Sequence, residues 1–201
     1  MEQVKIIIAD TERFIYRAEK MQSQLAPYYV EKYHQSKIPD DAKQELVAGM
    51  LLYKYLGISR DDQIGRNPYG KPFLKDEDCY YNLSHSGKVV VLVVGSCEVG
   101  IDVEQVRSFH EATANKVFHS NHTEELHGMH GSARDECFTR IWTQYEAMLK
   151  LLGTGFTDRW DNEQMPQARC SIYTKRYGDY YITCATEHEA TQKWINMEKK
   201  R

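Results

Sequence analysis

The sequence predicts an α+β fold in which each half of the chain pairs helices with a small antiparallel hairpin. Three observations predict it. Val89 to Val94 is an unbroken apolar run, mostly β-branched, and Gly95-Ser96 then leads into the strictly alternating Gly100-Ile101-Asp102-Val103-Glu104. A buried strand that turns back into a second strand has this pattern. Residues 39–57 and 132–153 carry apolar side chains at helical spacing, and each segment ends on glycine. Cys170 to Thr174 and Tyr180 to Ala185 flank Tyr177-Gly178-Asp179, a hairpin signal.

Taken in chain order, Val4 to Ala9 reads as a first strand. Asp10-Thr11 can cap a helix running toward Leu25 and ended by Pro27. After Ile38-Pro39-Asp40, the residues Leu46, Met50, Tyr53 and Leu56 recur at helical spacing until Gly57. Residues 58–79, dense in turn formers around Asn67-Pro68-Tyr69-Gly70-Lys71-Pro72, read as a loop. From Phe109 to Gly131 the chain is polar and histidine-rich, which predicts a helix and an exposed loop. Ser132 and Asp135 offer a capping box to a long helix with the stripe Trp142, Tyr145, Leu149 and Leu152, stopped by Gly153. The tail Lys199-Lys200-Arg201 is expected to be loose.

The chain has 201 residues, 41% hydrophobic and 27% charged, enough apolar material for one body or two fused halves and too much for a disordered chain. Lys plus Arg number 26 against 29 Asp plus Glu, a net charge of −3, so broad capture of nucleic acid or an anionic membrane is not expected. An anion must be held by a few local cations. No apolar run approaches the ~20 residues of a membrane span. The start of the chain has no basic segment or cleavage signal, so no leader is expected. Five scattered cysteines without a CxxC pair argue against a disulfide framework or zinc ribbon and fit a reduced cytoplasmic setting.

Several groupings carry chemistry. Asp102 and Glu104 lie two apart on a strand, so their Cα atoms are about 6.6–7 Å apart and both side chains project the same way. Two oxygens can then converge on a cation such as Mg²⁺; alone, the pair describes a solvated strand face equally well. Glu146 and Lys150 sit four apart on a helix, as a surface ion pair does, or as a third metal oxygen and a phosphate-facing cation. Asn82-Leu83-Ser84-His85-Ser86-Gly87 offers hydroxyls, an imidazole and backbone N–H groups to a small anion, or is a structured turn. Ser84 and His85 point to opposite sides of an extended chain, which disfavours a nucleophile–base pair. Gly70-Lys71-Pro72 puts a cation in a stiff turn. His119, His122, His127 and His130 have spacings that invite zinc, but the segment is polar and lacks cysteine.

Taken in order, Gly70-Lys71-Pro72, Asn82-Leu83-Ser84-His85-Ser86, Gly100-Ile101-Asp102-Val103-Glu104 and Trp142-x-x-x-Glu146-Ala147-x-x-Lys150 resemble the 4′-phosphopantetheinyl transferases of the surfactin-synthetase-activating type. The resemblance covers residues 40–155 and extends loosely to both ends. It implies transfer of phosphopantetheine from coenzyme A to a serine of an apo acyl or peptidyl carrier protein, with release of adenosine 3′,5′-bisphosphate. It implies that Asp102, Glu104 and Glu146 hold Mg²⁺, for which Mn²⁺ could substitute, and that Lys150 neutralises charge on the transferred phosphoryl group. Gly70, Lys71, Pro72, Ser84 and His85 match positions that bind the nucleotide part. The base is left open between Glu146, a metal-bound water and Glu124.

The chain departs from the family pattern at Tyr145, where lysine is usual, and at Gln44, where arginine is frequent; Lys43 could substitute there. These departures leave a second reading, a degenerate module that binds coenzyme A or a carrier without turnover. A third is a Mg²⁺-dependent phosphohydrolase using the same carboxylates. The resemblance further implies a monomeric pseudo-dimer of two pseudo-symmetric halves. Residues 1–104 would carry the nucleotide site and two metal carboxylates. Residues 105–201 would carry Glu146 and Lys150, with the site in the cleft between the halves and residues 105–130 as the carrier-docking surface.

Overall fold

The computed structural model describes residues 2–75, 78–155 and 170–197. Strand β1 (Glu2–Asp10) leads into helix α1 (Thr11–Lys20), with the Asp10 carboxylate capping the helix by accepting from the Glu12 and Arg13 N–H groups. The helix stops at Lys20 instead of continuing to Leu25. A single 3-10 turn follows, and Pro27 opens the new helix α2 (Pro27–Gln35) because its missing N–H costs nothing at a first helical position. Helix α3 (Pro39–Leu56) ends at Gly57 as predicted. Residues 58–79 are not wholly loop, since β2 (Ile64–Arg66) and β3 (Pro72–Leu74) pair as a short ribbon around the 67–71 turn.

Strands β4 (Tyr80–Ser86) and β5 (Val89–Gly95) form a hairpin, and β5 also pairs antiparallel with β1. The return strand β6 (Val99–Gln105) does not pair with β5 as its turn suggested. It crosses to a second sheet, next to β8. Helices α4 (Glu111–Val117) and α5 (Ser120–His127) follow, then α6 (Gly131–Leu152), which Gly153 closes with φ 68°. The Ser132 capping box is absent; Asp135 instead accepts from the Phe109 N–H at 2.8 Å, tying α6 to the segment before α4. The predicted hairpin is β7 (Ser171–Tyr177) with β8 (Tyr180–Thr186). A last strand, β9 (Ala190–Asn196), runs parallel to β1. The tail expected to be loose, 199–201, lies outside the described residues.

The result is an α+β body of four layers. Helices α1–α3 cover one face of the sheet β4-β5-β1-β9, burying Leu46, Met50 and Leu51 against Ile7, Val90 and Leu92. The other face packs on the sheet β6-β8-β7, with Val89, Val91 and Val93 meeting Ile101, Val103 and Ile182. Helices α4–α6 cover the far side. Strand β5 is apolar on every residue because one face meets helices and the other meets a sheet. The halves differ in strand count, and the sheets do not divide at residue 104: β6 belongs with β8, while β9 returns to β1. Among the described residues no helix is long and apolar enough to cross a membrane.

One glycine sets the distance between layers. A Cβ at Gly100 on β6 would fall on the Ala147 carbonyl oxygen and the Leu151 backbone of α6. Gly100→Ala is therefore expected to push α6 off the sheet and cost about 1–3 kcal/mol or more of stability, as overpacking does. Urea unfolding checks this; an unchanged midpoint would mean that the contact is not close in solution.

Candidate functional site

Alternation along β6 sends Ile101 and Val103 into the core between the sheets and turns Asp102 and Glu104 toward α6. On α6, Glu146 and Lys150 are one turn apart and face the same place. With Ser84 and His85 of β4 they line a cleft of about 390 Å³, whose lining also includes Tyr28, Glu45 and Arg66. Asp102 is buried at 4% exposure, so the solvated-face reading of β6 does not hold for it.

The centre of the site is a three-membered contact. The Lys150 ammonium donates to Asp102 Oδ1 at 2.7 Å and to Ser84 Oγ at 2.9 Å, while the Ser84 hydroxyl donates to the same Oδ1 at 2.9 Å. Asp102 Oδ2 is buried without a hydrogen-bond partner. Glu104 accepts from the Ser86 hydroxyl at 3.0 Å and has Arg107 at 4.0 Å. Burial raises the Glu104 carboxyl above the ordinary carboxylate value and the nearby Asp102 charge raises it further, against the opposing pull of Arg107. Glu146 is raised by burial first, then by Asp102, with Lys150 acting the other way. Burial lowers the His85 imidazole, which favours its neutral form.

Four carboxylates, from Glu45, Asp102, Glu104 and Glu146, thus face two permanent cations, Arg66 and Lys150. Hard oxygens, an orphaned buried carboxylate oxygen and two carboxyls held above their usual range fit a hard divalent cation such as Mg²⁺. Among the described residues no three histidine, cysteine or carboxylate side chains already converge on one metal-sized point. Lys150 stands against Asp102 in that arrangement.

Other residues singled out in the sequence lie elsewhere. Pro72 lines the cleft, but the Lys71 ammonium turns away to Glu98 at 2.7 Å and the Leu151 carbonyl at 2.9 Å, bracing the Gly70 turn against the end of α6. Lys43 pairs with Glu12 at 2.6 Å. Gln44 is buried and donates to the Gly87 carbonyl in the β4–β5 turn at 2.8 Å. Glu124 is exposed on α5 and does not line the cleft. Tyr145 is buried against Phe118, its hydroxyl accepting from the His119 N–H at 2.7 Å and bonding the His122 ring at 3.1 Å. It anchors α5 to α6 and takes no charge out of the cleft. Sequence reasoning missed Tyr28, Glu45 and Arg66; the only signal for them was the helical spacing of Glu45 on α3, which left its partner surface undefined.

Residues 98–197, the stretch from β6 to β9, match the family model described as the 4′-phosphopantetheinyl transferase superfamily. The chain is 33% identical over 120 residues to the 4′-phosphopantetheinyl transferase gsp of Aneurinibacillus migulanus, covering 57% of this chain and 50% of that protein. It is 27% identical over 173 residues to a 4′-phosphopantetheinyl transferase of Bacillus subtilis, covering 86% and 72%. It is 38% identical over 115 residues to the 4′-phosphopantetheinyl transferase AcpT of Escherichia coli (strain K12), covering 55% and 58%. The matches thus span from half to somewhat under three quarters of these relatives.

Two outcomes follow from the site geometry. Ser84→Ala leaves the buried Val103 N–H and one lone pair of Asp102 unpaired, and is expected to cost about 1–3 kcal/mol in urea unfolding. No loss would mean that the hydroxyl is dispensable. Glu146 is held above its ordinary value of 4.5, so above that pH the native state holds more protons than the unfolded chain and stability falls as pH rises through the window. Glu146→Gln should therefore raise the thermal midpoint at neutral pH in metal-free buffer; a lower midpoint would contradict the assignment.

Proposed function

This chain belongs to the 4′-phosphopantetheinyl transferase superfamily, and on that premise we propose that it moves the phosphopantetheine arm of coenzyme A onto a serine of an apo acyl or peptidyl carrier protein, in a Mg²⁺-dependent reaction. The observation that carries the reading is the junction of Asp102, Glu104, Glu146 and Lys150 in one cleft beside Ser84 and His85. The nucleophile arrives on the carrier, which is why the cleft needs no serine–histidine pair of its own.

Asp102, Glu104 and Glu146 would hold the Mg²⁺, which supplies positive charge to a pyrophosphate that an acidic cleft would otherwise repel. Lys150 adds a cation fixed by Asp102 and Ser84, so little reorganisation is needed as charge develops on the transferred group. Of the two carboxylates considered for accepting the serine proton, Glu146 lines the cleft and Glu124 does not, which favours Glu146. Tyr28 and Arg66, with the guanidinium 5.5 Å from the ring centroid, give the cleft a flat face and a cation suited to the nucleotide. Tyr145 packs in the core, so the residue that departs from the family pattern does not itself obstruct the cleft.

Incubation of the protein with coenzyme A, Mg²⁺ and a panel of apo carriers is expected to add one phosphopantetheine group to at least one carrier, read by mass spectrometry. Asp102→Ala should abolish the addition. No mass change with any carrier, or full activity of the variant, would overturn the proposal.

A further inference from the structure

The edges of the two sheets are fastened by side chains instead of backbone pairing. Strand β4 ends one sheet and β6 ends the other, and they lie side by side at a constant offset. Asn82 Oδ1 accepts from the Ile101 N–H at 3.0 Å, Ser84 Oγ from the Val103 N–H at 3.3 Å and Ser86 Oγ from the Gln105 N–H at 3.2 Å. Each serine hydroxyl has one proton left to donate. Ser84 gives it to Asp102 Oδ1 at 2.9 Å and Ser86 gives it to Glu104 Oε2 at 3.0 Å. The same device thus repeats at strand period: a serine grips the N–H of one residue and the carboxylate of the residue before it. The Asn82 rung has no carboxylate to aim, because the residue before Ile101 is Gly100.

A hydroxyl that both accepts from a backbone N–H and donates to a carboxylate has no free rotation left. We propose that Ser86 is a positioning residue for Glu104, holding its carboxylate toward the cleft as Ser84 holds Asp102. The inference rests on the metal-binding reading of those carboxylates. The other partners of Glu104 are Arg107, at 4.0 Å and so longer than the Ser86 bond, and the Trp142 side chain, which also favours its charged form. Without Ser86 those two alone orient the carboxylate relative to a cation held on Asp102. Partners that orient metal ligands in this way are typically worth about 10–100-fold in metal affinity.

The test is Mn²⁺ binding in the presence of coenzyme A, followed by electron paramagnetic resonance, for the wild type, Ser86→Ala, Ser86→Thr and Ser86→Val. Threonine keeps the hydroxyl, and valine keeps threonine's shape without it. The Ala and Val variants should bind Mn²⁺ about tenfold or more weakly and the Thr variant like the wild type. Transfer should show a raised KM for the metal with kcat kept at saturation. The Gln105 N–H at this rung is exposed and can turn to water, so the thermal midpoint should move little. Folded Ala and Val variants with wild-type Mn²⁺ affinity would overturn the role of Ser86. A wild type that binds no Mn²⁺ with coenzyme A would instead overturn the metal reading, and the inference with it.

Discussion

A carboxylate placed at the junction of two sheets has to be met by charge, and the arrangement around Asp102 shows what that constraint demands. The side chain is 5% exposed, and an ion in such surroundings costs several kcal/mol unless it is paired and hydrogen-bonded. Lys150 and Ser84 both reach one of its oxygens, while the other has no partner. The two neighbouring acids, Glu104 and Glu146, are raised first by their own burial and then by the same negative charge. One ammonium does not balance three carboxylates.

The layers follow from that centre outward. Helix α6 can approach β6 closely because Gly100 has no side chain, and the approach brings Glu146 and Lys150 over Asp102. One position earlier on the helix, Tyr145 points the opposite way and fixes α5 through its hydroxyl. On the other side, β4 supplies the serines while its neighbour β5 is clamped between two cores. The exchange of strands between the halves, with β6 leaving for the second sheet and β9 returning to the first, means that neither half carries a complete sheet and a complete set of site residues. The cations Lys43 and Lys71 serve this framework through Glu12 and Glu98.

How much of this could be read from the sequence depends on the range of the interactions involved. The unbroken apolar run of β5, the alternation of β6 and the glycine ends of α3 and α6 are local signals, and each found its element. The residues that the motif order picks out, Asp102, Glu104, Glu146, Lys150, Ser84 and His85, line one cleft. What failed was partner choice over long separations. Strand β9, with polar residues at Thr191, Gln192 and Lys193, carries little strand pattern of its own and exists through pairing with β1 at the far end of the chain. The turn after β5 promised a hairpin, but β6 finds its partner in β8. Lys43 and Lys71 looked like free cations because their shortest ion pairs, to Glu12 and Glu98, join residues far apart in sequence. The second role of Ser86 needed the lateral contact of two sheet edges, which periodicity along one strand does not reveal.

The account turns on whether the Asp102 centre takes up a divalent cation together with coenzyme A. Thermal unfolding of the wild type and of Asp102→Asn, each alone and with Mg²⁺ and coenzyme A, tests it directly, since a ligand bound only by the folded state raises the midpoint. The wild type should gain stability from Mg²⁺ and coenzyme A together beyond what coenzyme A gives alone, and Asp102→Asn should lose that added gain. An equal Mg²⁺-dependent rise in both proteins would contradict the account.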